Sequence, residues 1–420
     1  MRKLLALAML LVVATVAGCG GGSSADAPPD VKVVAGDSSA TVTWTNDPSV
    51  EYWAWVGEGP NVDTSNCTTS TYCRIFTGVT SPFVVGGLTN GTTYSVTVNG
   101  RRGGGPGGPG SPAIAFIPRL AGSTWTAGTP LTLSNLLGVG YTAATTAGTP
   151  EVVAVGASGS IYSSPDATTW TAATSGTTAN LNAVQYRNGL FVAIGDLGTI
   201  LTSPDGVTWT PRTSPTTNTL TALMGSGSGQ VVAVGAKGTI LVSTNSTTWT
   251  SVDSGTTADL HGIAYGNGRY VAVGDGGTML TSTNASAWTA VNSATTSNLR
   301  GIAYGSVTTS APGATTTTTA TTFIAVGAAG TVQTSTDGQI WTAHASIAAN
   351  DLRAVAYGTR FIAAGSGGAV FTTSDGITWQ AADTGTTANL NALTFTVLTA
   401  KAIGVGYVAV GDGGVNLTSF

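Results

Sequence analysis

The residues of this chain best suited to hold a charged ligand are Arg300, Arg353 and His261. Two guanidinium groups brought close together make a set of forked donors that matches a carboxylate, a sulfate or a phosphate. The alternative is that they pair with Asp351 or with the acids of neighbouring segments. Support for catalysis is thinner. His occurs only at 261 and 344, and Glu only at 51, 58 and 151. No Ser/His/Asp order stands out, because His261 would need a Ser held in a strained turn. Two aspartates, Asp259 and Asp275, could serve a glycosidase or lyase if burial kept one of them protonated. Gly274-Asp275-Gly276-Gly277 leads into a strand pattern and not a helix, so it does not read as a phosphate loop. No calcium-loop spacing occurs, and Cys67 and Cys73 lack a nearby His to complete a metal site. The sequence therefore calls for no cofactor and no metal.

These residues sit in a phrase written seven times. Its clearest copy is Tyr270-Val271-Ala272-Val273-Gly274-Asp275-Gly276-Gly277-Thr278-Met279-Leu280-Thr281-Ser282, followed by Trp288-Thr289, and the others begin at Val152, Phe191, Val231, Phe323, Phe361 and Tyr407. Short apolar strands with Gly turns, recurring about every forty residues, indicate a propeller or a solenoid. Each unit reads as four strands, the second and third nearly continuous in apolar residues because both faces are covered. Seven Trp mark the fourth strands, from Trp125 to Trp379. Trp125 has no strands of its own before it, and the last unit stops at Phe420 before its Trp. The two ends are thus expected to combine in one shared blade that closes a seven-bladed ring without open edges. Ser306 to Thr322, rich in Thr, interrupts one unit and reads as a disordered or glycosylated loop.

Alternating strand direction puts the start of strand one and the turn after strand two on the same rim. In repeat order the strand-one starts are Leu137, Asn182, Thr221, His261, Arg300, Arg353 and Asn391. The turns contribute Ala157, Asp196, Ala236, Asp275, Ala328, Ser366 and Asp412, and Asp259 and Asp351 lie just before strand one. Ligand binding is accordingly expected at Arg300, Arg353, His261, Asn182, Asn391 and Asp275, around the mouth of a central channel.

Between strands three and four come Ser203-Pro204-Asp205-Gly206-Val207-Thr208-Trp209 and Ser335-Thr336-Asp337-Gly338-Gln339-Ile340-Trp341. These resemble the Asp-box of sialidase-like and photosystem II stability-factor-like propellers. Asp166 and Asp375 keep the acid in looser copies, while Asn245 and Asn284 replace it. The acids read as structural, closing tight hairpins, with Trp wedged between blades. Only the arginine pair echoes the catalytic set of a sialidase. The stability-factor resemblance implies help in assembling a membrane-protein complex.

The N-terminus reads as an export signal over residues 1–18, with Arg2 and Lys3 ahead of an apolar stretch too short to span a bilayer. Val16-Ala17-Gly18-Cys19 resembles a bacterial lipobox, which implies lipidation at Cys19 and a flexible tether over 19–29. An oxidising compartment allows Cys67 and Cys73 to pair. Residues 30–118 carry strand-like runs separated by turns, and Gly87-Leu88-Thr89-Asn90-Gly91-Thr92-Thr93-Tyr94 resembles the tyrosine corner of fibronectin type III domains. That resemblance puts Tyr52, Ala54 and Val56 in a core and Trp53 and Trp55 on the surface. The two indoles either stack on sugar rings or bury against a partner, or else pack against the Cys67–Cys73 loop or the propeller.

Only 8% of residues are charged and the net charge is −4, with no basic stripe, which argues against nucleic acid as a partner. The expectation is all-β: a fibronectin type III sandwich at 30–118 and a propeller at 121–420. The expected role is non-catalytic recognition, in the cell envelope, of a protein or a surface polysaccharide. The membrane would be reached through the lipid anchor. An assembly factor and a carbohydrate-active enzyme are the alternatives.

Overall fold

The computed structural model describes residues 22–67, 72–142, 151–227, 229–310, 317–398 and 404–420. Cys19 and the expected signal segment lie outside them. The described structure is all-β, with only single 3-10 turns besides the strands. It falls into two compact units: residues 22–33, 42–83 and 93–116 make one, and 34–41, 84–92 and 117–420 make the other.

In the first unit, Glu51–Glu58 is sandwiched between Tyr94–Arg102 and Cys73–Val79. Alternation along Glu51–Glu58 buries Tyr52, Ala54 and Val56 and leaves Trp53 and Trp55 half-buried on the other face, as expected. Cys67 and Cys73 form the disulfide. Part of the segment expected as a flexible tether, 19–29, is ordered in a strand. Ser23–Ala25 is a strand paired with Gly100–Arg102, and Ala25 is buried. Ser and Ala have weak strand propensity, so the pairing partner decides the conformation.

In the second unit, four-stranded antiparallel sheets follow one another along the chain. Their innermost strands are Leu136–Tyr141, Leu181–Arg187, Leu220–Gly225, Leu260–Gly266, Leu299–Ser310, Leu352–Tyr357 and Leu390–Leu398. Each innermost strand packs against the next, and Leu390–Leu398 packs back on Leu136–Tyr141. The last sheet is completed from the other end of the repeat region: Thr126–Ala127 pairs with Leu417 and Thr418. Thr126 and Ala127 thus supply the fourth strand that the last repeat lacks.

The core lies between sheets rather than within them. Val192, Ile194 and Ile200 of one sheet pack with Leu220, Leu223, Val231 and Trp249 of the next. Leu398, Val408 and Val410 pack with Leu136 and Val152 across the junction of the chain ends. A fully buried side chain of this size contributes about 1.5–3 kcal/mol, so each sheet is held mainly by its neighbours. The fourth strands begin just after the Trp and not at it, as in Thr250–Val252 after Trp249. The indole occupies the turn, and four of them donate Nε1–H to a carbonyl three residues back, as Trp209 does to Gly206.

The Thr-rich segment is not a structureless loop in its described parts. Leu299–Ser310 and Thr317–Gly327 pair continuously from Gly305↔Thr322 to Ser310↔Thr317. Val307 is buried, and the Thr308 N–H donates to the Ser374 carbonyl of the following sheet at 2.9 Å. Thr is β-branched and favours an extended backbone, which overrides the low-complexity composition. Residues 311–316 are outside the described set.

Candidate functional site

A channel of about 440 Å³ runs along the innermost strands, and every strand-one start residue lines it: Leu137, Asn182, Thr221, His261, Arg300, Arg353 and Asn391. Each innermost strand is set by its opening Leu, which is fully buried, so the next residue is turned toward the mouth. The turn after strand two is a 3-10 turn, as in Asp275–Gly277, and it brings Asp275 back over the strand start.

The polar groups at this mouth are unevenly engaged. Asn182 Nδ2 donates to Asp196 Oδ1 and to the Leu220 carbonyl of the next sheet, both at 3.0 Å. Asn391 Nδ2 donates to Asp412 Oδ1 at 2.8 Å and to the Leu136 carbonyl at 2.9 Å. These two residues tie sheet to sheet. His261 Nε2 lies 2.7 Å from Asp275 Oδ1, so the histidine and its turn acid do form a pair. Arg353 spends its donors on Asn391 Oδ1 at 2.7 Å and Ser366 Oγ at 3.3 Å, and not on Asp351. Arg300 is half-buried at the mouth, and its guanidinium makes no hydrogen bond or ion pair with the described residues.

Asp259 and Asp351 do something else. Asp259 Oδ1 accepts the Lys237 N–H at 2.8 Å, and Asp351 Oδ1 accepts the Ala329 N–H at 2.9 Å. Asn180, Asn298, Asn389 and Asn135 do the same for Ser158, Gly276, Gly367 and Gly413. In each case the accepted N–H belongs to the left-handed residue of the preceding sheet's 3-10 turn. The residue before strand one is thus an inter-sheet latch, which the sequence reading missed. Its signal was the recurrence of Asn or Asp immediately before the opening Leu. The latch is missing at one junction, where Thr219 stands in that position.

The Asp-box acids lie in hairpin turns on the opposite rim. Asp337 Oδ1 accepts the N–H of Gln339 at 2.8 Å, the N–H of Ile340 at 2.9 Å and the Ser335 hydroxyl at 3.0 Å. Asp205 and Asp375 repeat the pattern. The Ile340 N–H is the largest influence on Asp337 and holds its carboxyl below the usual value. For Asp205 and Asp375 the largest influence is burial, which raises the value, but backbone and side-chain donors outweigh it and leave both lowered.

In the first unit, both half-buried indoles are engaged with their own sheet. Trp53 Nε1 donates to Glu51 at 2.9 Å, and the Arg101 guanidinium sits 4.8 Å from its ring centroid while pairing with Glu51 at 3.0 Å. Trp55 Nε1 donates to Asn99 at 2.9 Å. These contacts are to the indoles' own sheet, neither to the Cys67–Cys73 loop nor to a ligand. Among the described residues no cluster of three or more His, Cys, Asp or Glu side chains could hold a metal ion.

Radial four-stranded sheets around a polar channel define the second unit as a β-propeller. A family model described as the DUF6242 β-propeller domain matches residues 151–260. No curated protein sequence matches the chain. Among solved structures, YCF48 bound to D1 peptide is similar with a TM-score of 0.54 at 17% identity, covering 70% of this chain and 94% of that one. YCF48 from Cyanidioschyzon merolae is similar at 0.52 and 18%, covering 70% and 98%. The WD40 β-propeller domain of Doa1 is similar at 0.51 and 12%, covering 71% and 97%. At these identities the likeness establishes the fold.

Proposed function

We propose that this chain is a non-catalytic binding protein that recognises a protein partner through the channel mouth bearing Arg300 and Arg353. The observation that carries this reading is the Arg300 guanidinium, half-buried at the mouth and without a partner among the described residues. A half-buried guanidinium with unused donors is open to an acidic group on a ligand. Arg353 stands on the next innermost strand and is tied only to neutral groups. The similarity to a propeller solved with a bound peptide favours a protein over a polysaccharide as the partner. Help in assembling a membrane complex is the form this role takes if the likeness to YCF48 extends to function.

An enzymatic reading loses its acids to other duties. Asp259 holds a backbone N–H, and Asp275 is paired with His261. In full, the proposal is a fibronectin type III sandwich at 30–118 and a seven-bladed ring at 121–420. Cys19 would be lipidated in the cell envelope.

The test is a comparison of the wild-type chain from residue 20 onward with the Arg300→Ala/Arg353→Ala variant, on a glycan array and in crosslinking against envelope proteins. Binding that the variant loses while it stays folded supports the mouth as the site. Binding that the variant keeps in full removes it.

A further inference from the structure

We propose that the opposite mouth of the channel is a second site, taking a small free carboxylic acid on Arg187. The position is created by an exchange of residues at one junction between repeats. The sixth residue of the innermost strand is Tyr141, Tyr186, Tyr265, Tyr304, Tyr357 or Phe395, but in one sheet it is Gly225. Three of the rings lie directly on a glycine of the preceding sheet. A Cβ added to Gly266 would meet the Tyr304 ring at 2.0 Å, one on Gly305 the Tyr357 ring at 2.0 Å, and one on Gly358 the Phe395 ring at 1.9 Å. At Gly225 there is no ring to lay down. The seat is filled from the other side by Arg187, whose Cδ and Nε would meet a Gly225 Cβ at 2.4 and 2.5 Å. Arg187 itself stands where Gly266, Gly305 and Gly358 stand in their strands. One aromatic ring of the collar is thereby replaced by a guanidinium.

That guanidinium is poorly compensated. Nη1 donates to the Tyr186 carbonyl at 2.7 Å and Nη2 reaches the Met224 thioether at 3.9 Å. None of the ion pairs among the described residues includes it. The side chain is half-buried, and burial draws its pKa down. It lines the channel together with Tyr265, Tyr304 and Tyr357, whose hydroxyls make no hydrogen bond with the described residues. Unused guanidinium donors in a channel also lined by phenol hydroxyls suit a carboxylate, which offers acceptors only and brings the missing charge. The channel volume of about 440 Å³ is in the range of small-molecule sites. Arg300 begins its strand at the other mouth, five residues or about 17 Å away along the strand direction. The two arginines thus stand toward opposite ends of the one channel.

The test is calorimetric titration of the full second unit in the intact chain with sodium succinate, with neutral succinamide as control. Succinate should bind saturably and succinamide should not. Arg187→Met, which keeps the stem over Gly225, should weaken succinate by at least about tenfold. Arg187→Gly/Gly225→Tyr restores the arrangement of the other repeats and should stay folded while losing the site. Succinate binding that Arg300→Met abolishes and Arg187→Met leaves intact would assign the ligand to the first mouth and overturn the proposal. The proposal is overturned if succinate does not bind, if succinamide binds equally, or if both Arg187 variants keep wild-type affinity.

Discussion

Replacing Asp337 by Ala should destabilise the propeller by about 2 kcal/mol, and replacing it by Asn should cost only a few tenths. Asp337 Oδ1 is the acceptor for two backbone N–H groups and one hydroxyl. Each such bond is worth about 1 kcal/mol net, and the exposure of Gln339 and Ile340 keeps the sum near the lower end because water can replace the lost acceptor. Asn keeps Oδ1. Asn245 already accepts the Thr247 and Thr248 N–H groups at 2.9 and 2.8 Å in the equivalent turn. Urea denaturation followed by tryptophan fluorescence reads the difference, since Trp341 lies next to this turn in a buried position. A second arm uses pH. The folded carboxyl is held below its ordinary value of 3.8, so its contribution is present above that value and is lost as pH falls through the lowered folded pKa. Asp337→Asn should therefore lose less stability than wild type on acidification to about pH 3. The reasoning fails if Asn is as damaging as Ala at neutral pH, or if Ala is silent. Either result would mean that the acid does not serve as the acceptor that closes the turn.

Deleting Tyr407–Phe420 removes the fully buried Tyr407, Val408, Ala409, Val410 and Leu417 and the partner of Thr126–Ala127, so the ring should open. Limited proteolysis should then cut the innermost strands, whereas an intact digestion pattern would speak against closure by the chain ends. Gly277→Ala should cost about 3 kcal/mol or more, because φ is +73° and a Cβ would meet the Thr295 carbonyl at 2.0 Å. Gly276→Ala, with φ +61° and open space, should cost about 1 kcal/mol, and equal denaturation midpoints for the two would refute the close approach.

The repeat could be read from the chain because its second and third strands are apolar on both faces and its Asp-Gly turns recur in step. The sheet shared by Thr126–Ala127 and Asn416–Ser419 was legible too, since Trp125 precedes any strand of its own. The parts that were not legible are set by partners distant in sequence. Ser23–Ala25 becomes a strand only because Gly100–Arg102 offers it an edge. The Thr-rich arm is fixed by Val307 and by the Thr308 bond to the next sheet. At the mouth, sequence placed the seven strand-one starts together, but could not show that Asn182 and Asn391 are spent on carbonyls of neighbouring sheets while Arg300 is not. Asp259 and Asp351 looked like rim acids because their hydrogen bonds run to backbone of the preceding sheet, and their only trace is that Asn or Asp recurs before the opening Leu when the repeats are compared.

Photocrosslinking from the mouth tests the central claim most directly. A benzoylphenylalanine at Leu137 lines the channel on the side of Arg300, and one at Val207 sits exposed on the opposite rim. Irradiated in the native cells, the Leu137 variant should give a defined adduct that disappears when Arg300 and Arg353 are both alanine, and the Val207 variant should not give that adduct. The same adduct from Val207, or a Leu137 adduct indifferent to the arginines, would contradict recognition through this mouth.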